Sequence, residues 1–179
     1  MLRTEVIKGL TTISTSHSAL IESVTLPLLF HYLPDSAPPL ADITAREKYR
    51  SILKSLSELC VLPSLFETLV IRVNSKLDLL ASTPLKSGSE ESLDDTRECT
   101  IAYIYDLINT LSTVIDKKLA EKHTDVIKYF DQIVPRLYGL VVSAAMPRIG
   151  DVEPVFRDRR ILGVVSRVSE TLTWELNTE

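Results

Sequence analysis

His17, His31 and His123 are the three histidines of the chain, and Cys60 and Cys99 its two cysteines. These side chains are the ones best suited to ligate a metal or attack a substrate. Metal sites draw ligands from short spacings such as C-x-x-C or H-E-x-x-H, because two ligands must project from one turn or one helix face. No two of these five residues stand at such a spacing. Cys60 ends an apolar stripe, as a core thiol does. Cys99 begins a predicted helix, where the dipole would lower its pKa, but no histidine lies nearby in sequence to complete a dyad. The serines occupy no nucleophile elbow, and the five glycines form no phosphate-cradling loop. The chain therefore reads as a non-enzyme, with no catalytic residue, no metal site and no cofactor.

Charge is patterned more informatively. Arg46, Arg50 and Lys54 follow one another at i, i+4 and i+8, which places all three on one face of a helix. The stretch FRDRR (156–160) adds Arg157, Arg159 and Arg160. These six residues are the candidate protein-binding set: either a solvated face or a shallow basic surface for an acidic segment of another protein. The alternative is binding of nucleic acid or a phosphorylated ligand through Arg157, Arg159, Arg160 and Arg167. A net charge of −4 speaks against nonspecific nucleic-acid binding, which draws on a basic surface. Residues 88–98, GSEESLDDTRE, hold five acids and one arginine, a local −4. They read as a solvated loop; the functional counterpart is an acidic docking segment, or phosphorylation at Ser87, Ser89 or Ser92 that adds negative charge.

The elements that would position these residues are helical throughout. With 179 residues, 45% hydrophobic and 25% charged, the chain has the size and composition of one globular unit, 1–179. Tyr49, Ile52, Leu53, Leu56, Leu59 and Cys60 form one helical stripe. Ile101, Ile104, Tyr105, Ile108, Leu111 and Ile115 form another, and Ile161, Val164, Val165, Val168 and Leu172 a third. Breaks at STSHS, PDSAPPLADIT, VLPS, the polar loop 82–96, EKHTD and AMPRIGDVEP predict seven helices: 2–14, 18–33, 43–61, 64–81, 97–121, 124–145 and 155–176. No stretch alternates like a strand. The N-terminus carries charges among its apolar residues, unlike a signal peptide. The longest uncharged run, 23–33, is too short to span a bilayer. Two cysteines point to a reducing intracellular compartment rather than a disulfide framework.

Taken in pairs after an orphan first helix, the predicted helices repeat. TLPLLFHYL (25–33) and IVPRLYGLV (133–141) match, with Pro27 and Pro135 at the same point and an aromatic, Phe30 or Tyr138, three residues later. A proline inside a helix bends it, and a period of about 40–50 residues signals a helical solenoid. The expected fold is all α: an α-solenoid of antiparallel helix pairs.

DVEPVFR (151–157) resembles the turn of a HEAT repeat, in which an acid closes the first helix and an arginine opens the second. The resemblance implies that Asp151 and Arg157 link neighbouring repeats, with Asp35 and Arg46 as a looser version, and that the second helices line a concave side. STSHSALIESVTLPLLFHYLPDSAPP and LFETLVIRVNSKLDLL (65–80) resemble the later part of the fungal MMS-nineteen family, over roughly residues 5–145. That family consists of long HEAT-repeat proteins linked to nucleotide-excision repair and transcription, which serve as the targeting subunit of cytosolic iron–sulfur protein assembly. The resemblance implies a protein–protein interaction scaffold in cytoplasm and nucleus. Its partners would be iron–sulfur assembly targeting subunits and apo iron–sulfur clients such as repair helicases, with no direct nucleic-acid or membrane binding. Family members are several times longer, so the chain is expected to be a fragment or shortened form. Leu172, Trp174 and Leu176 are expected to expose an apolar edge that favours self-association.

Overall fold

The computed structural model describes residues 2–83, 90–146 and 154–178. Among them every regular element is helical. α1 spans Leu2–Ser16. α2 spans 18–31 and is composite, with a π turn at Ile21–Thr25 between Ser18–Leu20 and Leu26–His31. α3 (Ile43–Leu59), α4 (Pro63–Ser82) and α5 (Glu90–Ala120) follow. A 3-10 turn, Thr124–Tyr129, leads into α6 (Phe130–Ala145), and another, Val155–Arg157, precedes α7 (Arg159–Thr178).

The helices stack in two layers. α1, α3, α5 and α7 lie side by side in chain order, and α2, α4 and α6 form the second layer across one continuous apolar core. Each pair, α2/α3, α4/α5 and α6/α7, contributes one helix to each layer, and α1 stands alone ahead of them. This is an α-solenoid of antiparallel pairs. The predicted stripes face the core: Tyr49, Ile52, Leu53, Leu56, Leu59 and Cys60 are all buried, and so are Ile161, Val164, Val165, Val168 and Leu172. A pair cannot bury both of its apolar sides alone, so stability comes from stacking on neighbours.

Local chemistry sets the boundaries. Asp42 caps α3, its carboxylate accepting from the Ala45 amide at 2.9 Å. Pro63 opens α4 at a position where a helix has no intrahelical use for the missing donor. α5 ends with Lys122 at φ 60, while the His123 and Lys122 amides donate back to the Lys118 and Leu119 carbonyls. That is the paired-bond ending usually built on glycine. Pro27 is the second residue after the π turn, and Pro135 lies inside α6; both sit on exposed faces of the same layer, where water can serve the carbonyls that a proline leaves unpaired. Of their matching aromatics, Phe30 packs against the core whereas Tyr138 is exposed.

Four expectations change. α5 starts at Glu90, so residues 90–96 of the expected loop 82–96 are helical. Their acids occupy the first turns, where the helix dipole favours negative charge. Cys99 consequently stands well inside α5 rather than at its start. Leu172 faces the core at 1% exposure, leaving only Trp174 and Leu176 of that group at the surface. Asp35 pairs not with Arg46 but with Lys76 of α4, at 2.6 Å. Ser87, Ser89 and Asp151 lie outside the described residues.

Candidate functional site

α3 presents Arg46, Arg50 and Lys54 along one row, in the same layer as α7, which carries Arg159, Arg160 and Arg167. Arg157 sits in the 3-10 turn just before α7 and is exposed. α5 runs between the two groups, and it supplies what sequence reasoning missed. Asp106 accepts from Arg50 Nε at 3.0 Å and from the Tyr49 hydroxyl at 2.9 Å. Glu98 accepts from Arg160 Nη2 at 2.7 Å, and Asp158 accepts from Arg160 Nε at 2.9 Å. Arg167 donates to Ser112 Oγ at 3.1 Å and also to Asn109. Lys117 reaches back to Glu58 on α3 at 3.1 Å.

The second layer is linked the same way. Lys76 holds Asp35, Arg136 pairs with Asp78, Thr68 donates to Glu22 at 3.3 Å, and Asn74 donates to the Gln132 carbonyl at 3.0 Å. Pairs between neighbouring repeats therefore link this layer too; the expected Asp35–Arg46 link is replaced by Asp35–Lys76, while the expected Asp151–Arg157 link falls outside the described residues. No spacing rule could have found them, because the partners stand 41 to 62 positions apart.

These contacts show in the titrating groups. Hydrogen bonds from Arg160 hold the Glu98 and Asp158 carboxyls below their usual range, and Lys76 does the same for Asp35. Burial, with Asp106 beside it, pushes the Tyr49 hydroxyl up to about 12; burial alone takes the Cys60 thiol to about 12 and raises Cys99 as well. The buried Tyr103 hydroxyl is also raised. Each raised group keeps its proton when folded and releases it near 9 to 10 when unfolded. Above that range the unfolded state binds fewer protons, so stability falls as pH rises from about 9 toward about 12, by at most about 1.4 kcal/mol per pH unit for each such group. Chemical denaturation from pH 8 to 11 is expected to show this loss, and Cys60 is expected to resist alkylation until the chain unfolds. A flat profile, or stoichiometric labelling of native Cys60 at pH 8, would contradict it.

Of the six candidate residues, Arg50 and Arg160 are thus held by carboxylates, and Arg46 donates to the Leu40 carbonyl at 3.4 Å. Lys54 is exposed and stands on a ridge between two cavities. One, of ≈ 230 Å³, lies between α3 and α5; the other, of ≈ 900 Å³, lies between α1 and α3. The histidines occupy cap, surface and turn positions: His17 precedes α2, exposed His31 stacks edge-on with Tyr32, and His123 meets Glu121 at 3.2 Å. Among the described residues no cluster of three His, Cys, Asp or Glu could hold a metal ion, and no helix is long and apolar enough to cross a membrane.

The family model described as RNAPII transcription regulator C-terminal, the MMS19 C-terminal region, matches residues 52–179. No curated protein and no solved structure matches the chain. The matched region runs from the middle of α3 through α7; Tyr49 and Arg50, which bond Asp106 of α5, lie just before it. Members of that family are helical, non-enzymatic scaffolds and regulators tied to transcription. The chain belongs to the MMS19 family, through its C-terminal region.

Proposed function

We propose that this chain is a protein–protein interaction scaffold that helps bring cytosolic iron–sulfur cluster assembly to apo client proteins of DNA repair and transcription. Membership of the MMS19 family is the observation that carries the reading. The architecture supports it. A solenoid held together by pairs between neighbours leaves both layers free to present long surfaces, which suits simultaneous engagement of several partners. Those partners are iron–sulfur assembly targeting subunits and apo clients, and the sites of action are cytoplasm and nucleus.

In this role the chain organises partners without holding the cluster. Ligation generally needs about four thiolates, or thiolates mixed with imidazoles. Cys60 is fully buried at the end of α3, and Cys99 is buried within α5. Purified protein is expected to be colourless yet to retain assembly subunits or apo clients in a pulldown, undiminished when both cysteines become serine. A stoichiometric visible chromophore lost in the double serine variant would overturn the reading, as would retention of neither partner class by a folded sample.

The alternative, nucleic-acid or phosphoryl binding through the basic face, is weakened by the carboxylates that take up Arg50 and Arg160. Phosphate binding would fall steeply as salt rises, whereas a packed protein interface would respond far less.

A further inference from the structure

The cavity between α1 and α3 has walls with a specific hydrogen-bonding character. On α1, Thr11 donates to the Ile7 carbonyl at 2.9 Å, Thr12 to Lys8 at 3.0 Å and Thr15 to Thr12 at 2.7 Å. On α3, Ser55 donates to the Ser51 carbonyl at 3.0 Å. Each of these hydroxyl protons is committed to its own helix, so what remains available at each oxygen is a lone pair. The walls therefore accept hydrogen bonds, and the threonine methyls and Ile7 add apolar surface between the acceptors.

The charges lining this cavity are unbalanced. Lys8 is on the α1 wall and Lys54 on the α3 wall, against one carboxylate, Glu58. Glu58 is already held by Lys117 at 3.1 Å, from the far side of α3. Among the described residues Lys8 pairs with Glu5 of its own helix, at 3.2 Å, and both side chains are about two-thirds exposed, an arrangement of little strength. Among the described residues no carboxylate lies within ion-pairing distance of Lys54, whereas Arg50 and Lys117 on the same layer each have one and Arg160 has two.

We propose that this groove binds an extended, acidic segment of a partner protein, its carboxylates set against Lys54 and Lys8 and its backbone amides donating to the threonine and serine oxygens. An extended segment supplies N–H donors on alternate sides, and acidic side chains supply the missing charge. This rests on the scaffold reading and names the chemistry of one partner site. The ≈ 900 Å³ of the groove is room for a few residues of such a segment.

The test is fluorescence anisotropy on the whole chain, with a short labelled peptide of alternating Glu and Ser as the probe. Its Gln/Ser counterpart and a single-stranded oligonucleotide serve as comparisons. The Glu/Ser peptide is expected to bind, and the Gln/Ser peptide to bind at least about tenfold more weakly. Lys8→Glu with Lys54→Glu should abolish the difference, and Ser51→Trp, which fills the groove without changing charge, should weaken the Glu/Ser peptide; circular dichroism checks the fold of each. Lys128→Glu, at an exposed position in the 3-10 turn ahead of α6, should leave binding unchanged. Equal binding by the lysine variant, an equal loss with Lys128→Glu, or preference for the oligonucleotide overturns the proposal. The scaffold reading is judged separately: if wild type and lysine variant retain the same assembly partners in a pulldown, only the groove assignment falls.

Discussion

Replacing Lys118 by alanine is expected to remove about 3–5 kcal/mol of folding stability, the cost of breaking a buried pair by deleting one partner. Lys118 is fully buried, and its ammonium donates to the Val61 carbonyl at 2.7 Å and pairs with Asp125 at 2.9 Å. It also lies 5.1 Å from the centroid of the Phe66 ring. One side chain thus joins the end of α5, the turn between α3 and α4, the first turns of α4 and the 3-10 turn ahead of α6. Alanine would leave a carboxylate and a carbonyl without their cation, beside a void in the core. The melting temperature should fall by roughly 6–20 °C for a chain of this size. Lys118→Met combined with Asp125→Leu should recover much of the loss, because an apolar replacement of both partners leaves no orphaned charge. A single Lys118→Ala variant within about 1 kcal/mol of wild type, well short of the expected loss, would show that the pair is not needed.

The second large effect is expected at Tyr103. Its ring is fully buried and meets Tyr49 edge to face, with centroids 4.8 Å apart. Its hydroxyl donates to the Pro34 carbonyl at 2.8 Å. Tyr103→Ala should cost about 3–5 kcal/mol through the cavity it leaves. Tyr103→Phe keeps the ring and should cost about 1–2 kcal/mol, the loss of one buried hydrogen bond. The two variants also separate packing from anchoring. The proline-rich segment between α2 and α3 is fastened to the next repeat by Tyr103 and by the Asp35–Lys76 pair, so the Phe variant should become more sensitive to proteolysis in that segment. Equal stability losses for Phe and Ala would assign the whole effect to the hydroxyl and refute the packing account.

These two residues also mark where sequence reasoning stops. The spacing of Ile101, Ile104, Ile108 and Leu111 declares a helix and its buried side, because side chains three and four apart share a face whatever the helix packs against. The breaks between helices, most of them marked by proline or polar runs, were legible for the same reason: each is decided within a few residues along the chain. Absence of catalytic spacing was legible too, since ligand and nucleophile motifs are local.

Lys118 reads in sequence as one of two lysines near a helix end, and nothing local marks it as the one that turns inward. Its sister Lys117 reaches Glu58 at the surface, one position and about 100° around the helix away. The basic row Arg46, Arg50 and Lys54 was visible, but its electrostatic meaning was not. Asp106, 56 positions from Arg50, neutralises it, and only the stacking of α3 on α5 brings the two together. Helix periodicity determines which residues share a face. Which charges meet across that face depends on the register between neighbouring helices, and that register is set by core packing summed over both layers. The sequence by itself therefore determined a solenoid of helix pairs and its buried stripes, and the tertiary structure alone decided which cations are held by carboxylates and which, like Lys54, meet none among the described residues.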